Sequence, residues 1–166
     1  LHRQNLDQVL EEFSLGTFSE SEKEALNCAW HRLDPWPDAV AGLERLKQRY
    51  MIGTLSNGNI ALIANMAKYA RLPWDVILGA EIARAYKPQP QAYLGSAAAL
   101  SLKPQQCMLV AAHNSDLKAA LDCGFGTAFV ERPFEHGPDQ STDLVASGNY
   151  DFIASDFVDL ATQLKC

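Results

Sequence analysis

Residues 107–123 read CMLVAAHNSDLKAALDC, and this stretch decides the fold class. The apolar run 107–112 has the length and composition of a buried β-strand, and 115–123 has the spacing of an amphipathic helix. A strand that passes directly into a helix is the repeating unit of parallel α/β sheets. Four polar residues lie where the strand ends: His113, Asn114, Ser115 and Asp116.

The same alternation extends through most of the chain. Helices are expected at 38–49, 59–70, 90–101, 115–123 and 156–164. Strands are expected at 50–55, 75–79, 107–112, 126–130 and 150–154. Short apolar strands that alternate with amphipathic helices form a parallel sheet covered on both faces. The predicted fold class is therefore α/β, with a doubly wound parallel sheet.

The first part of the chain follows a different pattern. Apolar residues repeat at helical spacing from Leu6 to Phe13, and Ser19 with Glu22 forms the signature of a capping box that starts a second helix. The motif DPWPD, residues 34–38, then breaks the helical pattern with two prolines. We therefore predict a helical unit over 1–33 and an α/β unit over 34–166.

The composition excludes several classes of function. The 166-residue chain is 48% hydrophobic and 20% charged, as in ordinary globular domains. Its net charge is −6 and its 14 basic residues are dispersed, which argues against a nucleic-acid partner. No apolar run approaches the roughly 18 residues of a membrane span. The four cysteines lie far apart without a C-x-x-C pair, so we expect reduced thiols, no zinc site and a cytoplasmic protein.

Ligands of doubly wound sheets bind beyond the carboxyl ends of the strands, and polar residues follow the strands there. Ser56, Asn57 and Gly58 offer a hydroxyl, an amide and free N–H groups at a helix N-terminus, where anions bind. The alternative is that Asn-Gly is only a turn and Asn59 only an N-cap. Both interpretations stay open on the residues alone.

The other candidate catalytic residues are Lys87, His113 and Asp116. A lysine beside a carboxylate keeps that acid ionised, as a nucleophilic carboxylate requires. The alternatives are a solvated surface lysine, a hydrogen-bonded histidine at the rim and an aspartate that caps the following helix. No G-x-S-x-G, Walker or G-x-G-x-x-G motif occurs, so serine hydrolases and common nucleotide binders are not indicated.

Six stretches in order resemble the haloacid dehalogenase superfamily, and more closely its type II branch of 2-haloacid dehalogenases. They are WHRLDPWPDAVAGLERLK, TLSNGN, LPWDVILGAE, YKPQPQAYLGSAA, MLVAAHNSDLKAA and GTAFVERPFEHGP, and they cover most of residues 28–140. The resemblance implies a Rossmann-like core with a helical cap. Residues 1–33 then look like part of the cap, and 34–166 like a core without its first strand.

The resemblance also implies covalent hydrolysis. In that family an aspartate after the first strand attacks the substrate, and water hydrolyses the resulting ester. The D-x-x-G-T type motif that carries this aspartate does not occur at the expected place, so we expect the nucleophile upstream of Leu1. The implied reaction is hydrolytic dehalogenation of a small 2-haloacid, and residues 1–166 alone are expected to be inactive.

The family's residues are carried over position by position. By resemblance, Ser56 and Asn57 hold the substrate carboxylate, with Asn57 also near the halide, and Lys87 pairs with the nucleophile. Tyr93 matches a tyrosine near the site, and Asp116 matches the last acid of the fourth motif. His113 departs from the usual Ser-Ser-Asn run and, with Asp116, is a candidate to activate the water. Gly58 and Asn114 complete the predicted substrate-binding set.

Two further functions remain as alternatives. A phosphatase of the same superfamily would hold Mg²⁺ with an acidic pair, but only Asp116 is present and histidine is a poor ligand for that hard cation. We therefore expect no metal and no cofactor. A truncated binding or assembly module without turnover is the third possibility. Members of the branch are commonly homodimers, so a homodimer acting on a small molecule is expected.

Overall fold

The computed structural model describes residues 2–166, which form helices and three short parallel strands. The α-helices are α1 His2–Glu12, α2 Glu20–Asn27, α3 Ala39–Lys47, α4 Ile60–Ala70, α5 Ala80–Ala83, α6 Pro90–Ala99, α7 Asn114–Asp122 and α8 Phe157–Gln163. The strands are β1 Met108–Ala111, β2 Gly126–Val130 and β3 Phe152–Ala154. Two 3-10 helices, Cys28–Arg32 and Pro104–Gln106, complete the elements. The predicted α/β class is confirmed.

The three strands form a parallel sheet in the order β1-β2-β3. Strand β1 pairs with β2 from Met108 opposite Gly126, and α7 makes the crossover between them. Strand β2 is central, and its residues 127–130 are almost fully buried because both faces of the sheet are covered. The strand–helix unit predicted from 107–123 is therefore confirmed, with the helix beginning one residue earlier, at Asn114.

Alternation along β2 directs side chains into two cores on opposite faces of the sheet. Phe129 packs on one face with Tyr93 of α6 and Leu117 of α7. Ala128 and Val130 pack on the other face, in a cluster built largely from α3 and α8. The sheet thus has helices on both faces, as a doubly wound arrangement requires.

The predicted strands 50–55 and 75–79 are wrong as continuous strands. Among the described residues they meet in a single parallel bridge, Gly53 with Val76. Backbone hydrogen bonds at the bridge are few and long, with the Thr54 N–H 3.3 Å from the Val76 carbonyl and the Val76 N–H 3.4 Å from the Ile52 carbonyl. The Thr54 hydroxyl adds two more, since Oγ1 accepts from the Leu78 N–H at 2.9 Å and donates to the Leu78 carbonyl at 3.1 Å. A glycine also adds no side-chain packing to a strand, so no regular strand forms here.

The N-terminal helices attach to the α/β part through the first 3-10 helix, which packs against α4. His31 Nδ1 lies 2.9 Å from the Asn65 amide nitrogen across this contact. The capping box predicted at Ser19 and Glu22 is confirmed. The division into 1–33 and 34–166 stays a prediction. None of the helices among residues 2–166 has the length and apolarity needed to cross a membrane.

Candidate functional site

Asp116 lies in the first turn of α7 and accepts hydrogen bonds at both carboxylate oxygens. Lys87 Nζ lies 2.5 Å from Oδ2, and the Tyr93 hydroxyl lies 2.5 Å from Oδ1. The Lys87 and Asp116 side chains are only 20% and 13% exposed, so water screens their attraction weakly. Asp116 does not cap its own helix, because both of its oxygens bind side chains from other parts of the chain. The structure therefore brings together Lys87 and Asp116, two of the three predicted catalytic residues.

Tyr93 lies behind Asp116 and not in the open site. Its residue is 0% exposed, and burial, followed by the hydrogen bond to Asp116, raises the pKa of its phenol. The hydroxyl consequently keeps its proton and acts as a donor. The predicted contact with substrate is not supported by this position, and Tyr93 instead positions Asp116.

Asn57 fixes the backbone of Lys87. Its Oδ1 accepts from the Lys87 N–H at 2.7 Å, and its Nδ2 donates to the Lys87 carbonyl at 3.2 Å. Ser56 Oγ accepts from the Gly58 N–H at 3.0 Å. Asn57 therefore holds the backbone of Lys87 in place, and its predicted role in binding substrate stays a prediction.

Half of the free N–H groups at the N-terminus of α4 are occupied by the protein's own acceptors. Asn59 Oδ1 accepts from Leu62 N–H at 2.7 Å, and the Glu81 carboxylate accepts from Ile60 N–H at 3.0 Å. These partners use two of the four unpaired donors that a helix N-terminus offers to an anion. The sequence suggested an open anion site at this helix end. The groups left to bind an anion there are the Ser56 hydroxyl and the neighbouring backbone N–H groups.

His113 is the N-cap residue of α7 and belongs to a second cluster. Its Nε2 lies 3.0 Å from Glu135 Oε2, and its ring lies nearly parallel to that of His136, with centroids 6.3 Å apart. Glu135 and His136 come from the loop after β2. Sequence reasoning gave them no role, because a Pro- and Gly-rich loop carries no periodic signal that places its side chains.

Asn114 ties α7 to the loop over residues 143–147. Its backbone N–H and its Nδ2 both donate to Asp143 Oδ1, at 2.9 and 2.8 Å. Its Oδ1 accepts from the Ser147 N–H at 2.8 Å and from the Tyr150 hydroxyl at 2.9 Å. With both side-chain polar atoms engaged, Asn114 is better explained as a structural residue than as the substrate-binding residue we expected.

A cleft of about 830 Å³ lies against these groups. Its apolar walls include residues 51–55 and 107–112, which belong to the bridged pair and to β1. Lys87, His113 and Asp116 line the same cleft. Among the described residues, five predicted binding residues are outside its lining: Ser56, Asn57, Gly58, Tyr93 and Asn114. The arrangement offers a cation, a fixed carboxylate and an imidazole at one apolar cavity.

Comparisons with known proteins agree with this geometry. The (S)-2-haloacid dehalogenase 4A of Burkholderia cepacia is 33% identical over 113 residues, which are 66% of this chain and 49% of that protein. The solved structure of a defluorinating L-2-haloacid dehalogenase matches with a TM-score of 0.96 and 52% identity, over 99% of this chain and 68% of its own. The solved structure of another L-2-haloacid dehalogenase matches with a TM-score of 0.96 and 50% identity. That match covers 99% of this chain and 70% of the other.

The chain spans about half the length of the curated relatives it matches. A family model described as haloacid dehalogenase-like hydrolase matches residues 1–124. Since this match covers well over half of the 166 residues, the chain belongs to the haloacid dehalogenase-like hydrolases.

Proposed function

We propose that the intact protein hydrolyses the carbon–halogen bond of a small 2-haloacid. The observation that carries this proposal is the hydrogen-bonded unit of Lys87, Asp116 and Tyr93 at the end of β1, beside an apolar cleft. The chain is also 52% identical to a solved structure described as a defluorinating L-2-haloacid dehalogenase. The cleft lies between the bridged pair and β1, where a further strand would fit, and its polar end at Lys87, His113 and Asp116 is the part that would receive a small haloalkanoate. The reaction requires no metal and no cofactor.

The attacking group in this proposal is a carboxylate supplied by a strand outside residues 2–166. Both Asp116 oxygens are already hydrogen-bonded, and Glu135 is paired with His113, so neither is a free nucleophile. Within the described residues β1 pairs on one side only, with β2, and its other edge borders the cleft. An exposed strand edge readily takes a further strand. An aspartate at the end of that strand would lie near Lys87.

The chemistry proceeds in two steps. A carboxylate oxygen attacks C2 of the substrate, the new C–O bond forms as the carbon–halogen bond breaks, and halide leaves with the bonding electrons. Water then attacks the carbonyl carbon of the ester and gives up a proton to a general base, and the bond from that carbon to the substrate oxygen breaks as this oxygen takes up a proton. The products are a 2-hydroxy acid and the regenerated aspartate. Lys87 keeps the attacking carboxylate ionised.

His113 is the general base that we favour for the second step. Asp116 is the alternative, but each of its oxygens already accepts a hydrogen bond, one from Lys87 and one from Tyr93, which makes it a weaker base. The Glu135 carboxylate can accept a hydrogen bond from Nε2–H of His113 and so fix the tautomer in which Nδ1 is basic. Nδ1 of His113 has no hydrogen-bond partner among residues 2–166, which leaves it available to water.

Halide release by the full-length encoded protein in the presence of a chelator tests the reaction. We expect a halide burst that His113→Asn leaves intact while slowing steady-state turnover by about 10²-fold, the usual contribution of a general base. His31→Asn, a histidine on the first 3-10 helix, serves as control. Phosphate release that requires Mg²⁺, without halide release, would favour the phosphatase alternative. Halide release by residues 1–166 alone would contradict the external carboxylate.

We also propose a cytoplasmic homodimer that uses its N-terminal helices, as part of a cap, to contact the partner. Large apolar side chains are exposed there, including Phe13 at 66% and Trp30 at 51%. Exposed apolar patches of this kind favour association. Light scattering of the full-length protein and of Phe13→Glu measures the change in mass, and a monomeric unsubstituted protein would contradict the proposal.

A further inference from the structure

His113, Glu135 and His136 form a cluster of metal-ligating side chains at the rim of the cleft. Each offers one ligand atom, and these atoms all lie within 4.8 Å of one another. His113 Nε2 and Glu135 Oε2 are already 3.0 Å apart. A tetrahedral zinc site with ligands about 2.0–2.2 Å from the ion places its ligand atoms roughly 3.3–3.5 Å apart. The longest distance between two of the ligand atoms would therefore have to shorten by little more than 1 Å to complete the site.

The backbone around the cluster is held while its side chains are accessible. The N–H of Glu135 donates to the Arg132 carbonyl at 3.2 Å, and the N–H of His136 donates to Gln140 Oε1 at 3.1 Å. His113 is anchored as the N-cap residue of α7. Glu135 and His136 are exposed, so rotation of their side chains can bring the ligand atoms together without moving the fold.

The charges in this region also favour a cation. Glu135 and Asp143 are the carboxylates near the two imidazoles. Two imidazoles and one carboxylate are a ligand set of catalytic zinc sites, and imidazole selects Zn²⁺ over Mg²⁺. The ligand set therefore differs from the acidic pair that holds Mg²⁺.

We propose that His113, Glu135 and His136 bind Zn²⁺ at the rim of the cleft, and that this ion inhibits turnover. The binding depends only on the cluster. The inhibition rests on the proposed function, because Zn²⁺ bound to Nε2 of His113 leaves the ring proton on Nδ1, which then cannot accept a proton from water.

Calorimetric titration of the full-length protein with ZnCl₂ tests the site. We expect one Zn²⁺ per chain and at least about tenfold weaker binding in His136→Ala, since loss of even an outer-shell partner typically weakens metal sites 10–100-fold. His31→Ala is the matched control, because His31 contacts Asn65 and not the cluster. Equal weakening in both variants, or none in His136→Ala, would overturn the site.

The four free thiols of Cys28, Cys107, Cys123 and Cys166 are the competing zinc ligands, and Co²⁺ separates the two kinds of site. Co²⁺ bound to nitrogen and oxygen ligands lacks the intense near-ultraviolet band of a cobalt–thiolate bond, so we expect no such band in the Co²⁺-loaded protein. A thiolate band that persists in His136→Ala would show that cysteines bind the ion and would overturn the assignment.

Inhibition has its own measurement. Saturating Zn²⁺ should slow turnover of the unsubstituted protein at least tenfold and leave His136→Ala almost unaffected. Without zinc, we expect His136→Ala to turn over as fast as the unsubstituted protein. Zinc binding without this difference would overturn the inhibitory role. Absence of halide release before zinc is added would contradict the proposed function and leave the binding result standing.

Discussion

The chemistry at the residue scale centres on one carboxylate with two side-chain donors. Asp116 receives Lys87 at one oxygen and Tyr93 at the other, and Asn57 fixes the backbone of Lys87. Charge-assisted hydrogen bonds of this kind are stronger than neutral ones, and a partly buried charge is costly to leave unpaired. Removing the Lys87 amine should therefore affect catalysis, and removing the Tyr93 hydroxyl should affect stability.

Replacing Lys87 by methionine keeps most of the side-chain length and removes the charge. We expect kcat for halide release by the full-length protein to fall by at least about 10²-fold, because an electrostatic partner of the reacting groups is lost. Lys118→Met is the matched control, since Lys118 pairs with Asp122 on the exposed face of α7. Undiminished kcat in Lys87→Met would refute the catalytic role.

Tyr93→Phe removes a single buried hydroxyl. The free energy of unfolding should fall by about 1–3 kcal/mol, because Asp116 Oδ1 loses its donor in a buried position. Urea unfolding followed by circular dichroism measures this change. Tyr69→Phe, at an exposed tyrosine of α4, should change the same quantity by less than about 0.5 kcal/mol. Equal effects of the two substitutions would contradict the positioning role of Tyr93.

At the scale of elements, close approach of α3 to α8 shapes the second core. Gly42 lies in α3, and a Cβ at this position would meet Phe157 Cβ at 2.4 Å and the Phe157 backbone carbon at 2.6 Å. Backbone atoms cannot move aside as a flexible side chain can. A glycine is therefore required where these two helices cross, although glycine disfavours the interior of a helix.

Gly42→Ala tests this contact. Overpacking typically destabilises by about 1–3 kcal/mol, which exceeds the gain of at most about 1 kcal/mol in helix propensity. We therefore expect a lower free energy of unfolding. Gly16→Ala is the control, since nothing lies within 4 Å of a Cβ there. A more stable Gly42→Ala protein would show that α3 and α8 separate easily.

At the scale of the whole molecule, Asp38 and Arg132 join distant parts of the α/β unit. Arg132 Nη2 lies 2.8 Å from Asp38 Oδ2, and the Phe157 N–H donates to the same oxygen at 2.8 Å. The guanidinium also lies between the rings of Trp36 and Phe157, 4.9 and 5.4 Å from their centroids. The start of α3, the loop after β2 and the start of α8 are thereby connected.

Asp38→Asn should lower the free energy of unfolding by about 3 kcal/mol at neutral pH, as loss of one partner of a buried ion pair does. Burial alone would raise the pKa of Asp38, but the Phe157 N–H and Arg132 outweigh it and lower that pKa. The ionised carboxylate therefore stabilises the fold above the unfolded pKa of about 3.9, and this contribution is lost as pH falls through the lower folded value.

Urea unfolding at a series of pH values measures this dependence, with Asp122→Asn as the exposed control. The difference between the unsubstituted protein and Asp38→Asn should shrink as the solution is acidified. A difference that is independent of pH would contradict the role of the charge.

Sequence patterns determined the elements that depend on neighbouring residues. The strand and helix of 107–123, the capping box at Ser19 and the α/β class are confirmed because local spacing and side-chain type specify them. Lys87 and Asp116 were also found as candidates, since strand ends in parallel sheets collect functional residues.

Only the tertiary structure decided which side chains meet. Tyr93 lies behind Asp116, and Asn114 binds the loop over 143–147. Glu135 and His136 contact His113 from a loop whose sequence has no periodic pattern. The tertiary structure also reduced strands 50–55 and 75–79 to one bridge. Long-range pairing depends on three-dimensional packing and on hydrogen-bond partners far along the chain, and local spacing contains no information about either.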